Sequence, residues 1–173
     1  MTELEHEHEL LLQVVNAVYG APDLEGALRG TAHALQAICP VWHASLWVHD
    51  PERDVVRVMG SWSLTETAFS PGVEVATTIT PPLTRMLVDL HKGMVFGARM
   101  DDHGKSLLDH LMREEGVVAL LTVPLTRTAS HMPFLALGSS SEDGFGSTPP
   151  SFFLSLAQSA GARLAKLASA AQS

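Results

Sequence analysis

The hydrophobic positions change their period along the chain. From Leu4 through Leu11, Val14, Val15 and Val18 they recur at roughly helical spacing, which predicts a first helix over about Thr2 to Tyr19. Gly20-Ala21-Pro22-Asp23 breaks it. Asp23 is suited to N-cap a second helix with Leu24, Leu28, Leu35 and Ile38 as its stripe. Cys39-Pro40 ends that helix, since proline disfavours helical geometry in the residue before it. The pattern then turns extended. Trp42 to His49, the polar turn Asp50-Pro51-Glu52-Arg53-Asp54, and Val55 to Trp62 predict a hairpin. Ser63 to Gly72 reads as a loop, and the Val, Thr and Ile content of Val73 to Thr80 predicts a third strand.

Helical spacing returns at Leu83, Met86, Leu87 and Leu90, opened by Thr80-Pro81-Pro82 and ended by Lys92-Gly93. Met94 to Phe96 is a short extended piece, and Arg99 to Gly104 is a polar loop. Ser106 to Glu115 predicts another short helix with Leu107, Leu108, Leu111 and Met112 inside, stopped by Gly116. The apolar runs Val117 to Leu125 and Met132 to Ser139, split by the polar turn Thr126 to His131, predict a last hairpin. Thr148 and Pro149 then start a helix to about Ala168, with Phe153, Leu156, Ala157, Ala160, Leu164 and Leu167 on one side.

Composition narrows the function classes. A chain of 173 residues with 46% apolar and 17% charged residues fits one folded domain, with no repeat or low-complexity linker. No apolar run approaches the ~20 residues needed to span a bilayer. Glu3, Glu5, Glu7 and Glu9 stand where a secretory signal would carry positive charge, so a cytoplasmic location without a membrane partner is expected. A net charge of −8 disfavours direct nucleic-acid binding, because phosphates demand clustered Lys and Arg. Cys39 is the only cysteine, which excludes an internal disulfide and a multi-cysteine metal site.

Four patches, in this order, resemble GAF domains, a family of small-molecule-sensing regulatory modules. Ala44-Ser45-Leu46-Trp47-Val48-His49-Asp50 is similar to the family's first strand, which ends in Asp at a turn. The helix Leu83 to Leu90 with His91-Lys92-Gly93-Met94-Val95 is similar to its short helix, glycine and strand. Ala119 to Leu125 is similar to its penultimate strand, which ends in Val-Pro-Leu. Leu135-Ala136-Leu137-Gly138 and the chain from Phe145 are similar to its last strand and final helix.

The resemblance covers about residues 23 to 168 and implies an α+β fold. A central antiparallel six-stranded sheet would carry the N- and C-terminal helices on one face. Short helices and loops would cover a ligand cavity on the other. Along the first strand Ser45, Trp47 and His49 should face the cavity, and Ala44, Leu46 and Val48 the helices, because strand side chains alternate. The candidate ligand-binding residues are Ser45, Trp47, Met59, Ser61, Trp62, Met100, His103 and Thr122. Departures from the family's patterns bear on ligand class. Gly138-Ser139-Ser140-Ser141 and Phe145-Gly146-Ser147 replace the motif of the cyclic-nucleotide-binding branch. Cys39 is poorly placed for bilin attachment, and one cysteine cannot run the chemistry of the free-methionine-sulfoxide reductase branch.

The cofactor is left open. Haem on one axial histidine is considered for His91, His103 or His110, against the plainer reading of hydrogen-bonding histidines. The resemblance also implies a homodimer through the terminal helices and a signal passed along the final helix to an output domain or partner protein. Two alternatives stand beside this sensor. One is a ligand-free dimerisation module. The other is a small enzyme using Asp102, His103 and Ser106, which lacks a nucleophile elbow or a phosphate loop in the sequence. No enzymatic activity is expected.

Overall fold

The computed structural model describes residues 3–65, 69–77, 81–99, 112–125 and 131–171. Helix α1 spans Glu3–Gly20 and α2 spans Leu24–Leu35. Asp23 caps α2 as its sequence position suggests, accepting the Gly26 backbone N–H at 2.8 Å. Strands β1 (Val41–Asp50) and β2 (Val55–Ser63) form the first hairpin, and β3 (Glu74–Ala76) is shorter than the β-branched run predicts. Helix α3 covers Pro81–His91. Strand β4 (Phe96–Arg99) lies later than the extended piece expected at Met94 to Phe96, and enters the span expected as loop. Strands β5 (Ala119–Pro124) and β6 (Met132–Ser139) form the last hairpin, and α4 covers Pro150–Ala171. Of the helix expected over Ser106 to Glu115, only a turn at residues 112–114 lies within the described residues.

Among the described residues the strands form one six-stranded antiparallel sheet in the order β3-β2-β1-β6-β5-β4. Neighbours β1 and β6 pair from both chain halves, so the sheet is one unit. A β-bulge interrupts the β1–β2 register between Leu46 and Trp47: Leu46 opposes Gly60, while Trp47 opposes Val58. Met59, the extra residue between them, is turned to the same face as Leu46.

The back of the sheet is closed by helices. Helix α2 packs on β1 and β2, α4 packs on β5, and α1 packs on α2 and α4. Leu10, Val14 and Val18 of α1, Leu28 and Leu35 of α2, and Phe153, Leu156 and Leu164 of α4 join Ala44, Leu46, Val123 and Leu135 of the sheet in one apolar core. Gly60 permits this approach, because a Cβ there would lie 2.5 Å from the Leu24 side chain. The front holds a second, separate core: Trp47, Val56, Val58, Leu120, Phe134 and Ala136 of the sheet meet Leu83, Met86, Leu87 and Leu90 of α3, with Phe69 and Met112. Trp47 therefore faces the front and Leu46 the back.

Candidate functional site

The front core is built around Trp47. Its ring stacks on Phe134 at 6.3 Å between centroids and meets Phe69 at 5.5 Å. Between these rings and α3 lies a void of about 20 Å³ lined by Trp47, Val56, Leu83, Met86, Met112, Leu120, Thr122, Phe134 and Ala136. That volume holds about one water, and an apolar lining offers water no partners. The one polar side chain in the lining, Thr122, uses its hydroxyl to donate to the Phe96 carbonyl at 3.2 Å. Among the described residues, the front beside Trp47 is thus filled by side chains.

A buried polar chain runs behind Trp47. The indole Nε1–H donates to Ser45 Oγ at 2.7 Å. Ser45 Oγ lies 2.7 Å from His43 Nε2, and His43 Nδ1 lies 2.8 Å from Glu115 Oε1. Ser63 donates to the same carboxylate oxygen at 2.7 Å. An ionised Glu115 places the imidazole hydrogen on Nδ1, so Ser45 donates to Nε2 and accepts from Trp47. Carboxylate, imidazole and hydroxyl stand in the order of a hydrolase triad, but His43 and Ser45 are wholly buried and Ser45 does not line the void. A substrate has no approach to Oγ, and the chain's evident role is to tie β1 to the turn after Met112 and to fix the Trp47 ring. Gly116 follows Glu115 at φ +87°, and a Cβ there would strike the Trp42 ring at 2.6 Å, so glycine is required to place the carboxylate.

A second polar cluster sits at the far end of α3. His49 Nδ1 lies 2.9 Å from His91 Nε2, at the wall of an open cleft of about 530 Å³ shared with Asp54, Thr77, Thr84 and Lys92. Burial, then the nearby His91, push His49 below its ordinary pKa, against the pull of Asp54 and Asp50. Among the described residues no group of three or more His, Cys, Asp or Glu is arranged to hold a metal ion. Cys39 is buried on the back, where burial raises its thiol to about 11 against a hydrogen bond with Ser139. A thiol so placed is a poor nucleophile.

Of the residues nominated from sequence, Ser45, Trp47 and Thr122 share the front. Ser61 pairs with Ser45 there, but its hydroxyl donates to the Phe69 carbonyl at 2.6 Å. Met59 and Trp62 lie against the back core, and Trp62 meets His33 of α2 edge-on at 5.6 Å. They are removed from the front by strand alternation and by the bulge. Met100 and His103 lie outside the described residues, as do Asp102, Ser106 and His110. Leu120, Phe134 and Ala136 were not nominated. They sit in runs apolar on both faces, so no polar alternation marks which residues face forward. His43 and Glu115 were also missed, being 72 positions apart with no local motif to join them.

No protein-family model and no curated protein matches the sequence. Solved structures do match the fold. The GAF domain of a phosphoenolpyruvate-protein phosphotransferase from Coxiella burnetii superposes with a TM-score of 0.68 at 17% identity, over 99% of this chain and 100% of that one. The GAF domain of a two-component sensor histidine kinase from Bacillus halodurans gives 0.59 at 9% identity, over 78% of this chain and 88% of that one. Free methionine-R-sulfoxide reductase from Neisseria meningitidis gives 0.63 at 16% identity, over 98% and 95%. Strand order, antiparallel pairing and the paired terminal helices on one face agree with these likenesses: the chain has the fold of a GAF domain.

Proposed function

We propose that this chain is a regulatory sensor domain whose ligand is a small apolar molecule received at the front, between α3 and the sheet. The observation that supports it most is the treatment of Trp47. Its indole N–H is drawn away to Ser45, leaving only the apolar ring at the void, beside Leu83, Met86 and Phe134. The other polar group there, Thr122, is also engaged within the protein. A site so lined rewards apolar area and penalises a ligand that brings hydrogen-bonding groups. A void of about 20 Å³ admits no such molecule, so entry requires α3 to move outward. Ligand and open state are then linked: binding favours the state that has room for it. A shift of the sheet accompanying that motion would reach α4, which packs on β5, and through it α1, and so an output domain or partner.

The outer side of α1 supports a homodimer. Leu12 and Tyr19 are about half exposed there, seven positions apart on one face. Sedimentation equilibrium tests this. A dimer broken by Leu12→Glu is expected, and a monomer at high concentration sinks it.

Native mass spectrometry, with indole and benzene added as probes, tests the ligand reading. A bound probe that raises the melting temperature, and is lost when Leu83→Trp fills the void, is expected. No bound mass and no thermal shift across apolar probes would leave the alternative of a ligand-free dimerisation module, which the filled front itself favours. The reductase-like neighbour brings no enzymatic reading here, since the chain's one cysteine is buried on the opposite face.

A further inference from the structure

His49 lies near the end of β1 with its side chain on the front, opposite Val56 and Met132, and His91 is the last residue of α3. Their rings meet edge to face at 5.1 Å, with the 2.9 Å contact joining the covering helix to the central sheet. The other nitrogen of His49, Nε2, is buried without a hydrogen-bond partner, and Asp54 Oδ1 stands 4.0 Å from it. A buried nitrogen left unpaired calls for an explanation. Charged and titratable groups face this pair from each element around it. Asp50 and Asp54 come from the hairpin turn. His131, whose Nε2 is 3.8 Å from Asp50 Oδ2, comes from the approach to β6. Lys92 follows His91 at the end of α3.

Proton counting decides what this arrangement does. A hydrogen bond between two imidazoles needs one N–H and one lone pair. The neutral pair has both. One added proton goes to whichever outer nitrogen is bare; on His49 that is Nε2, facing Asp54, and the contact survives. A second proton finds only the inner lone pair. Two N–H groups on two cations would then face each other at the contact, and the bond is lost.

We propose that His49 and His91 form an acid-released latch, in which the second proton taken up by the pair frees the C-terminal end of α3 from the sheet while the helices behind it stay packed. The unpaired Nε2 is the place for the first proton, and it lets the latch hold until the pair is doubly charged. The burial that holds His49 below its ordinary range moves release to acid pH. This goes beyond the sensor reading and holds whether or not a ligand enters the front.

Amide hydrogen exchange tests it, with protection factors for α3 compared with those of α4 at pH ~7 and pH ~4.5, either side of the ordinary histidine range. The wild-type protein is expected to lose about tenfold of its α3 protection in acid, the size of a lost hydrogen bond, with α4 little changed. His91→Gln can accept the His49 Nδ1–H through its amide oxygen and cannot titrate, so its α3 protection should survive acid. His91→Leu should show loosened α3 at neutral pH and no further step in acid. The Gln variant separates this pair from the His43–Glu115 contact, which lies elsewhere on the front. Acid loss in His91→Gln equal to that of the wild type would overturn the latch. So would a His91→Leu protein as protected at neutral pH as the wild type.

Discussion

The two faces of the sheet are closed by different means. Behind it, α1, α2 and α4 form a continuous apolar core in which Phe153, Leu156, Leu28 and Leu46 interdigitate. In front, among the described residues, one short helix and a turn cover a smaller core, and polar contacts share in holding the cover. His91 ties α3 to β1, Thr84 of α3 donates to the Thr77 carbonyl, and Glu115 ties the Met112 turn to His43. An apolar layer answers to volume. A layer held through histidines and a carboxylate answers also to protons and to hydrogen-bond geometry. In the proposed sensor, the back supplies stability and the route for a signal, and the front is where the molecule changes.

Substitutions sharpen this contrast, and they rank by expected size. Phe153→Ala removes a ring buried between α4 and the sheet, and should cost about 4 kcal/mol in urea unfolding, with both faces lost in a single transition. Glu115→Ala leaves His43 buried without its carboxylate and should cost about 3 kcal/mol. Glu115→Gln should cost less, and in both variants the Trp47 indole Nε1–H resonance should move, three side chains away. An unshifted resonance would disconnect the front polar chain from the void. Leu83→Ala should cost about 2 to 3 kcal/mol while enlarging the void, and benzene should recover part of that loss. Failure of benzene to stabilise the variant would mean that the front collapses rather than opens.

A pH effect comes next in size. The folded protein holds His49 below its ordinary pKa, so the unfolded chain binds the proton more readily. Stability from this group is full above pH ~6.5 and falls as pH drops from there through the lowered folded value, then levels off when both states are protonated. Denaturation midpoints followed from pH ~7.5 downward should decline in that window, and His49→Gln should flatten the decline. The smallest effect is expected at the exposed pair of Arg53 and Glu74, which form two parallel contacts at 2.9 and 2.6 Å. Arg53→Ala should leave the midpoint within error, since solvent screens such a pair. A clear loss there would show that the β3 edge contributes more to the front than its position suggests.

Much of the fold was legible because periodicity and punctuation are local. The spacing of Val14 and Val18, the cap at Asp23, the turn after Asp50, and the start of α4 after Thr148 each act within a few residues. So does the alternation that turned Trp47 one way and Leu46 the other. The site was less legible. Met59 lies at the back by alternation from Val58, and Trp62 follows it there because one extra residue in β2 reverses side-chain parity, and no residue type marks that bulge.

The sequence by itself determined most of the helices and strands and that neighbours along β1 look opposite ways, since these follow from side-chain period and backbone preference, while the forward side of β1 came from the resemblance to GAF domains. Only the tertiary structure decided what meets across the sheet: His43 with Glu115, His49 with His91, and Phe134 stacked on Trp47. Each of these pairs joins residues from distant parts of the chain: strand register brings Phe134 to Trp47, and the docking of α3 and of the Met112 turn on the sheet brings in His91 and Glu115. The volume left beside Trp47 was decided at the same level, because a void is the remainder of many packed side chains and belongs to no single one.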